Sequence, residues 1–239
     1  MDMTDVLLLQ KNDSIREETV TIVLIILCAA FAAAFLYYGS KEKYVHAVAF
    51  KGLASACFVI MGLILNPGTN TANLIVTGLL AGCIADIVID LRKVFAKKGQ
   101  TFFLLGCLFF FAGHIMYILA VFPMSTHKAL CVAIAVIVTP PLMLEIYKHI
   151  TANTLLKAVG IVYIGAVMLL NCAAINNLID APSAFTGVFS AGALLFMASD
   201  ILLVFNTFGA QYSQKVKNFY IGLYYAGQIL IALSLQYLS

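Results

Sequence analysis

Charge is what this sequence has least of. Of its 239 residues only 10% are Asp, Glu, Lys or Arg, against 63% hydrophobic, and the mean hydropathy is +1.01. A water-soluble domain of this length could not cover that much apolar surface, so the sequence implies a membrane as solvent. The signatures of common soluble enzymes are missing too: there is no Gly-rich phosphate loop, no G-x-S-x-G elbow and no H-E-x-x-H pair. None of the six cysteines has C-x-x-C spacing or a neighbouring histidine, which argues against a metal site and disulfides and for small interior packing residues. No run of Lys and Arg is long enough to suggest nucleic acid; the net charge of +3 reads as a topology signal and an attraction for anionic lipid. A basic secretory start is absent as well. Residues 1–19 carry Asp2, Asp5, Asp13, Glu17 and Glu18 against Lys11 and Arg16, so the first apolar stretch is expected to be an uncleaved span.

What the sequence does contain is apolar length. A helix crossing the hydrocarbon needs ~20 mostly apolar residues. Eight windows qualify: 20–38, 45–65, 72–91, 101–122, 128–147, 154–175, 184–206 and 217–238. Turn formers separate them, as in "NPGTN" (66–70) and "DAPSA" (180–184). The expected architecture is an all-α integral membrane domain over 1–239, with an N-terminal segment (1–19) outside the span and four-helix halves at 20–122 and 128–238. The connections after helices 1, 3, 5 and 7 hold Lys41, Lys43, Arg92, Lys93, Lys97, Lys98, Lys148, Lys157, Lys215 and Lys217; the other side holds only Lys11, Arg16 and Lys128. That bias places both termini away from the cytosol.

The halves resemble each other. "GLLAGCIADIVID" (78–90) and "GALLFMASDILLV" (192–204) share G-x-L-x5-D-I, so Asp86 and Asp200 lie 114 residues apart. The same offset lays "FFAGHIMYILA" (110–120) over "YYAGQILIALS" (224–234), with His114 on Gln228. Two matches in register, each including a polar residue, indicate a 4+4 duplication. An even number of helices per half makes the repeat parallel, and helices 3 and 7 are then expected to face each other across its axis.

Lys51, Asp86 and Asp200 each fall five or six residues from the basic end of their helices, roughly 8–9 Å inside the span. Tyr224 and Tyr225 are slightly deeper. His114 is ~20 Å along helix 4, with Tyr117 one turn on. This predicts one polar cavity open to the cytosolic leaflet and floored by His114 and Gln228. Other polar residues have simpler readings. Asp90 beside Arg92 and Lys93 reads as a rim ion pair, Glu145 as a boundary residue, and Pro140-Pro141 as a kink. Lys51 could snorkel, and His114 could be an interior histidine with hydrogen-bond partners. A buried carboxylate costs several kcal/mol unless it is paired or protonated, so two at one depth favour function.

These residues resemble the YhhN-type membrane proteins, which include the lysoplasmalogenases. The resemblance rests on "FKGLAS" around Lys51, "GLLAGCIADIVI" around Asp86, "LGCLFFFAGHIMYILA" around His114 and Tyr117, "GALLFMASDILLVFNTF" around Asp200 and Asn206, and "YYAGQILIALS" at the end. It implies an eight-helix hydrolase that cleaves the vinyl-ether bond of 1-alkenyl lysophospholipids to a fatty aldehyde and a glycerophospho-base without a metal or other cofactor, with Asp86 and Asp200 as the essential pair.

Two acids suit that reaction. Vinyl ethers are stable to base and labile to acid; protonation of the terminal alkene carbon leaves an oxocarbenium ion, water adds, and the hemiacetal collapses. One carboxyl would supply the proton and the other would hold the negative charge, as in glycoside hydrolysis, where such carboxyls stand about 5–9 Å apart. Lys51 is expected to bind the lipid phosphate or to keep one aspartate charged. His114, Tyr117, Asn206, Tyr224, Tyr225 and Gln228 are supporting candidates for substrate or water. The competing class is a proton-coupled transporter on the same repeat, and a third is a lipid-binding scaffold without turnover.

Overall fold

The computed structural model describes residues 3–238, with side chains from residue 15 onward. The chain is 89% helix, in eight long helices: α1 (Met3–Ser40), α2 (Tyr44–Ile64), α3 (Asn70–Val94), α4 (Gly99–Val121), α5 (Lys128–His149), α6 (Thr154–Asp180), α7 (Ala184–Phe208) and α8 (Gln214–Ser234). All eight are long and apolar enough to cross a membrane, and large apolar side chains such as Ile137, Val162 and Ile179 point outward from the bundle. Exposed apolar belts on helices of this length suit a hydrocarbon solvent. The first helix begins well before the predicted start at residue 20, and α5 runs through Pro140 and Pro141 without a break.

Side-chain caps and breakers set the ends. Thr69, Asn153, Ser183 and Ser213 each accept a hydrogen bond from a first-turn amide of α3, α6, α7 and α8, and Ser183 with Thr186 forms a capping box. Between α2 and α3, Gly68 takes φ +81°, a conformation that side chains disfavour. The α5–α6 and α7–α8 connections are tied together by an antiparallel bridge between Ile150 and Gly209.

Two close helix crossings bring the polar residues into place. On α3 and α4, a Cβ at Gly113 would lie 3.1 Å from the Gly78 carbonyl; on α7 and α8, a Cβ at Gly227 would lie 2.8 Å from the Gly192 carbonyl and 3.0 Å from the Phe196 amide. Small residues at such crossings let helix backbones approach where no hydrophobic effect drives them together. Backbone atoms cannot swing aside, so Gly227→Ala should destabilise the protein by ~1–3 kcal/mol. Gly222 lies on the same helix and a Cβ there meets nothing within 4 Å. Thermal melts in detergent should therefore show a clear loss for Gly227→Ala and none for Gly222→Ala; equal melting temperatures would refute the crossing as the cause.

The expected meeting of helices 3 and 7 does not occur as a packed pair. The interfaces between the halves run chiefly through α4 on α6 and α2 on α8, with α1 and α3 also touching α8. The acids on α3 and α7 are separated by rings from α4, α7 and α8, chiefly Phe110, Phe196 and Tyr224, whose centroids lie 5.3–6.0 Å apart.

Candidate functional site

Asp86 and Asp90 are one turn apart on α3, and Lys51 and Ser55 one turn apart on α2, so each pair projects from one helix face. The two faces meet. The Lys51 ammonium lies 2.7 Å from Asp90 Oδ2 and 3.2 Å from Asp86 Oδ1. Asp86 Oδ2 accepts from Ser55 Oγ at 2.5 Å and from the Tyr224 hydroxyl at 2.7 Å. The Tyr225 hydroxyl is 3.3 Å from Ser55 Oγ and donates to the Lys51 carbonyl at 3.3 Å. Both oxygens of Asp86 are thus occupied, with a cation on one side and two hydroxyls on the other. A charged cluster survives burial only when paired and hydrogen-bonded in this way. Lys51 does not snorkel: it is buried, with its ammonium held between two carboxylates. Asp90 corrects the sequence reading: it is buried and bound chiefly to Lys51, with Lys93 further off at 3.9 Å. Its neighbours in sequence suggested a rim pair, but its i+4 relation to Asp86 turns it inward.

Asp200 on α7 stands in a different environment. Its Oδ2 accepts from the Tyr163 hydroxyl of α6 at 2.7 Å and lies 3.3 Å from His114 Nε2 of α4. His114 Nε2 is also 3.1 Å from the Tyr163 hydroxyl, and its ring packs on Phe196 with centroids 4.5 Å apart. The other oxygen, Oδ1, has no hydrogen-bond partner among the described residues. The Asp200 side chain keeps 10% of its surface, against 1% for Asp86, and that opening leads into a cavity.

Two cavities replace the single one expected. The larger, about 620 Å³, opens at the basic ends of α1, α3, α7 and α8; Lys51, Asp90, Arg92, Lys93, Lys217 and Tyr220 are in its wall, and Asp86 is not. The second, about 80 Å³, is almost wholly apolar and is bounded by Phe103, Cys107, Phe110, Tyr163 and Asp200. Cys107, Val159 and Tyr163 also border a groove of about 500 Å³ between α4 and α6 on the outer face of the bundle. The two cavities adjoin at Ile89 and Leu203, which line both. These are the residues three after Asp86 and Asp200, themselves 114 apart. The condition that both carboxyls share one cavity is therefore not met, because the rings of Phe110, Phe196 and Tyr224 fill the space between them.

The remaining candidates have internal partners. Tyr117 donates to Gln228 Oε1 at 2.8 Å, both residues fully buried; neither they nor His114 line the large cavity as its expected floor. Asn206 accepts from the Ser213 amide at 2.8 Å, bracing the turn into α8, and lines neither cavity. Lys217, read from sequence as a loop lysine, is buried at 4% exposure inside the large cavity. Ser55 and Tyr163 went unrecognised. Ser55 could have been found from its i+4 spacing to Lys51, whereas nothing in the sequence of α6 marks Tyr163. The six cysteines are all free thiols, and no group of three His, Cys, Asp or Glu among the described residues could hold a metal ion.

Residues 46–235 match the model of the YhhN family. No curated protein and no solved structure gives a significant match to this chain.

Proposed function

The chain belongs to the YhhN family, a family associated with hydrolase activity, and from that premise we propose that it cleaves the vinyl-ether bond of 1-alkenyl lysophospholipids within the membrane. The observation that carries this reading is Asp200: a carboxyl with one free oxygen, held by Tyr163 and His114, facing an apolar cavity that adjoins a basic one. The polarity of that pair matches an amphiphile with an anionic head and a single chain, with its sn-1 linkage near Ile89 and Leu203 and most of the chain in the groove between α4 and α6.

In this reading Asp200 is the proton donor. It protonates the alkene carbon that bears the alkyl chain, the oxygen-bearing carbon becomes an oxocarbenium ion, and the Asp200 carboxylate now faces that cation. Water adds to the cationic carbon and returns a proton to Asp200; the hemiacetal then collapses to aldehyde and free alcohol. An apolar wall keeps bulk water from levelling the electrostatics. Asp86 is the paired acid on the polar side, bound to Lys51 and holding Tyr224, whose ring packs on Phe110 beside Asp200 and on Phe196 beside His114. Asp86 is therefore a positioning residue, and the two acids act unequally.

We read the chain as a parallel 4+4 duplication with both termini on the non-cytosolic side. The glycine pairs Gly78–Gly113 and Gly192–Gly227, each a close crossing and 114 residues apart, support the duplication. So does the correspondence of the α2–α8 and α6–α4 interfaces.

The test is direct. Purified protein in detergent or nanodiscs is incubated with alkenyl and with acyl lysophospholipids, and free aldehyde is trapped as a hydrazone. Aldehyde should appear from the alkenyl substrate alone. Folded protein that releases none from it would overturn the assignment and leave the carrier or scaffold readings.

A further inference from the structure

We propose that the large cavity is a binding site for the phosphate of a lysophospholipid head group, with Lys217 as its central ligand and Arg92 and Lys93 beside it; the lipid identity of the anion rests on the functional reading above. Two ammonium groups stand over the ring of Phe35, Lys51 at 5.2 Å and Lys217 at 4.9 Å from its centroid. Their circumstances differ. Lys51 is matched by two carboxylates at 2.7 and 3.2 Å, whereas Lys217 has no ion pair among the described residues although it is 96% buried. A buried cation without a counter-charge is unfavourable, and this one opens onto a cavity.

The wall of that cavity carries four basic side chains, Lys51, Arg92, Lys93 and Lys217, and two acidic ones, Asp90 and Glu42. Asp90 is committed to Lys51 and Lys93, so the positive excess falls on Lys217 and Arg92. A volume of about 620 Å³ lies in the range of small-molecule sites and exceeds what a lone ion needs. Charge-assisted hydrogen bonds from lysine and arginine are the usual means of holding a phosphate. An apolar cavity on the other side of Ile89 and Leu203, which line both, favours an anion that carries a hydrocarbon chain over a free one.

Binding tests this without turnover. A saturated 1-alkyl lysophospholipid, which has no vinyl-ether bond, is compared with the same 1-alkylglycerol lacking the phosphate, and inorganic phosphate is tested as a competitor. Wild-type protein should bind the phospholipid at least about tenfold more tightly than the alkylglycerol. Lys217→Met should erase that preference while binding of the alkylglycerol stays unchanged, and Lys217→Arg should keep most of it. If the methionine variant does not fold, Lys93→Gln, whose side chain is 30% exposed, should lower the preference about two- to fivefold. Equal binding of the two lipids by wild type, or a preference that survives Lys217→Met, overturns the site. Lys217-dependent binding of inorganic phosphate with no preference between the lipids overturns the lipid source. A wild type that discriminates between the lipids yet releases no aldehyde would sink the hydrolase reading and leave this site standing.

Discussion

Asp200→Asn is expected to lower aldehyde release from an alkenyl lysophospholipid by ~10²–10⁴-fold, the range a general acid supplies, with little change in melting temperature. Asparagine keeps the shape of the side chain and can still accept from Tyr163 at Oδ2, so the fold has little reason to change. What it cannot do is give a proton to carbon and then face the cation as an anion. Tyr163→Phe should be milder, because it removes one donor from Asp200 and leaves His114 at 3.3 Å. Asp86→Asn should lose activity together with stability, since Lys51 would retain only Asp90 as a counter-ion. Near-normal aldehyde release by folded Asp200→Asn would end the acid assignment. Equal and purely kinetic losses for both variants would restore two equivalent catalytic acids.

The second large effect concerns stability. Lys51→Met leaves Asp86 without a cation in the interior and Asp90 with only Lys93 at 3.9 Å, and removing one partner of a buried ion pair typically costs about 3–5 kcal/mol. The triple variant Lys51→Met, Asp86→Asn, Asp90→Asn removes all three charges and should recover much of that loss, because neutral groups avoid the desolvation penalty. Asp90→Asn alone should destabilise the protein measurably, contrary to what a rim residue would do. Melting curves of the four proteins in one detergent decide it. A Lys51→Met protein as stable as wild type, or a triple variant no better than the single one, would show that the pairing contributes nothing.

The sequence also explains why the two acid clusters differ. A 114-residue offset carries Asp86 onto Asp200, but Lys51 and Ser55 have no counterpart on α6 at that spacing, where Gly165 and Leu169 stand instead. One acid consequently inherits a lysine and a serine. The other is met by Tyr163, two residues before Gly165 on α6, and by His114 of α4.

Long apolar runs, turn formers and caps were enough to define eight helices and their approximate limits, because each helix satisfies its own backbone hydrogen bonds within the segment. Spacing along a helix also puts Asp86 with Asp90 and Lys51 with Ser55 on common faces, although from sequence Asp90 reads as a rim residue and Ser55 is not singled out. Which face meets which was decided only in three dimensions. Asp90 turned inward because α2 brought Lys51 to it, Lys217 became interior because α1 and α3 close over the start of α8, and Tyr163 became a partner of Asp200 through the packing of α6 on α7 and α4. The division of the site into a basic cavity and an apolar one has the same origin. It follows from three rings on α4, α7 and α8 filling the space between the acids, and side-chain packing between helices distant in sequence leaves no periodic trace along any one of them.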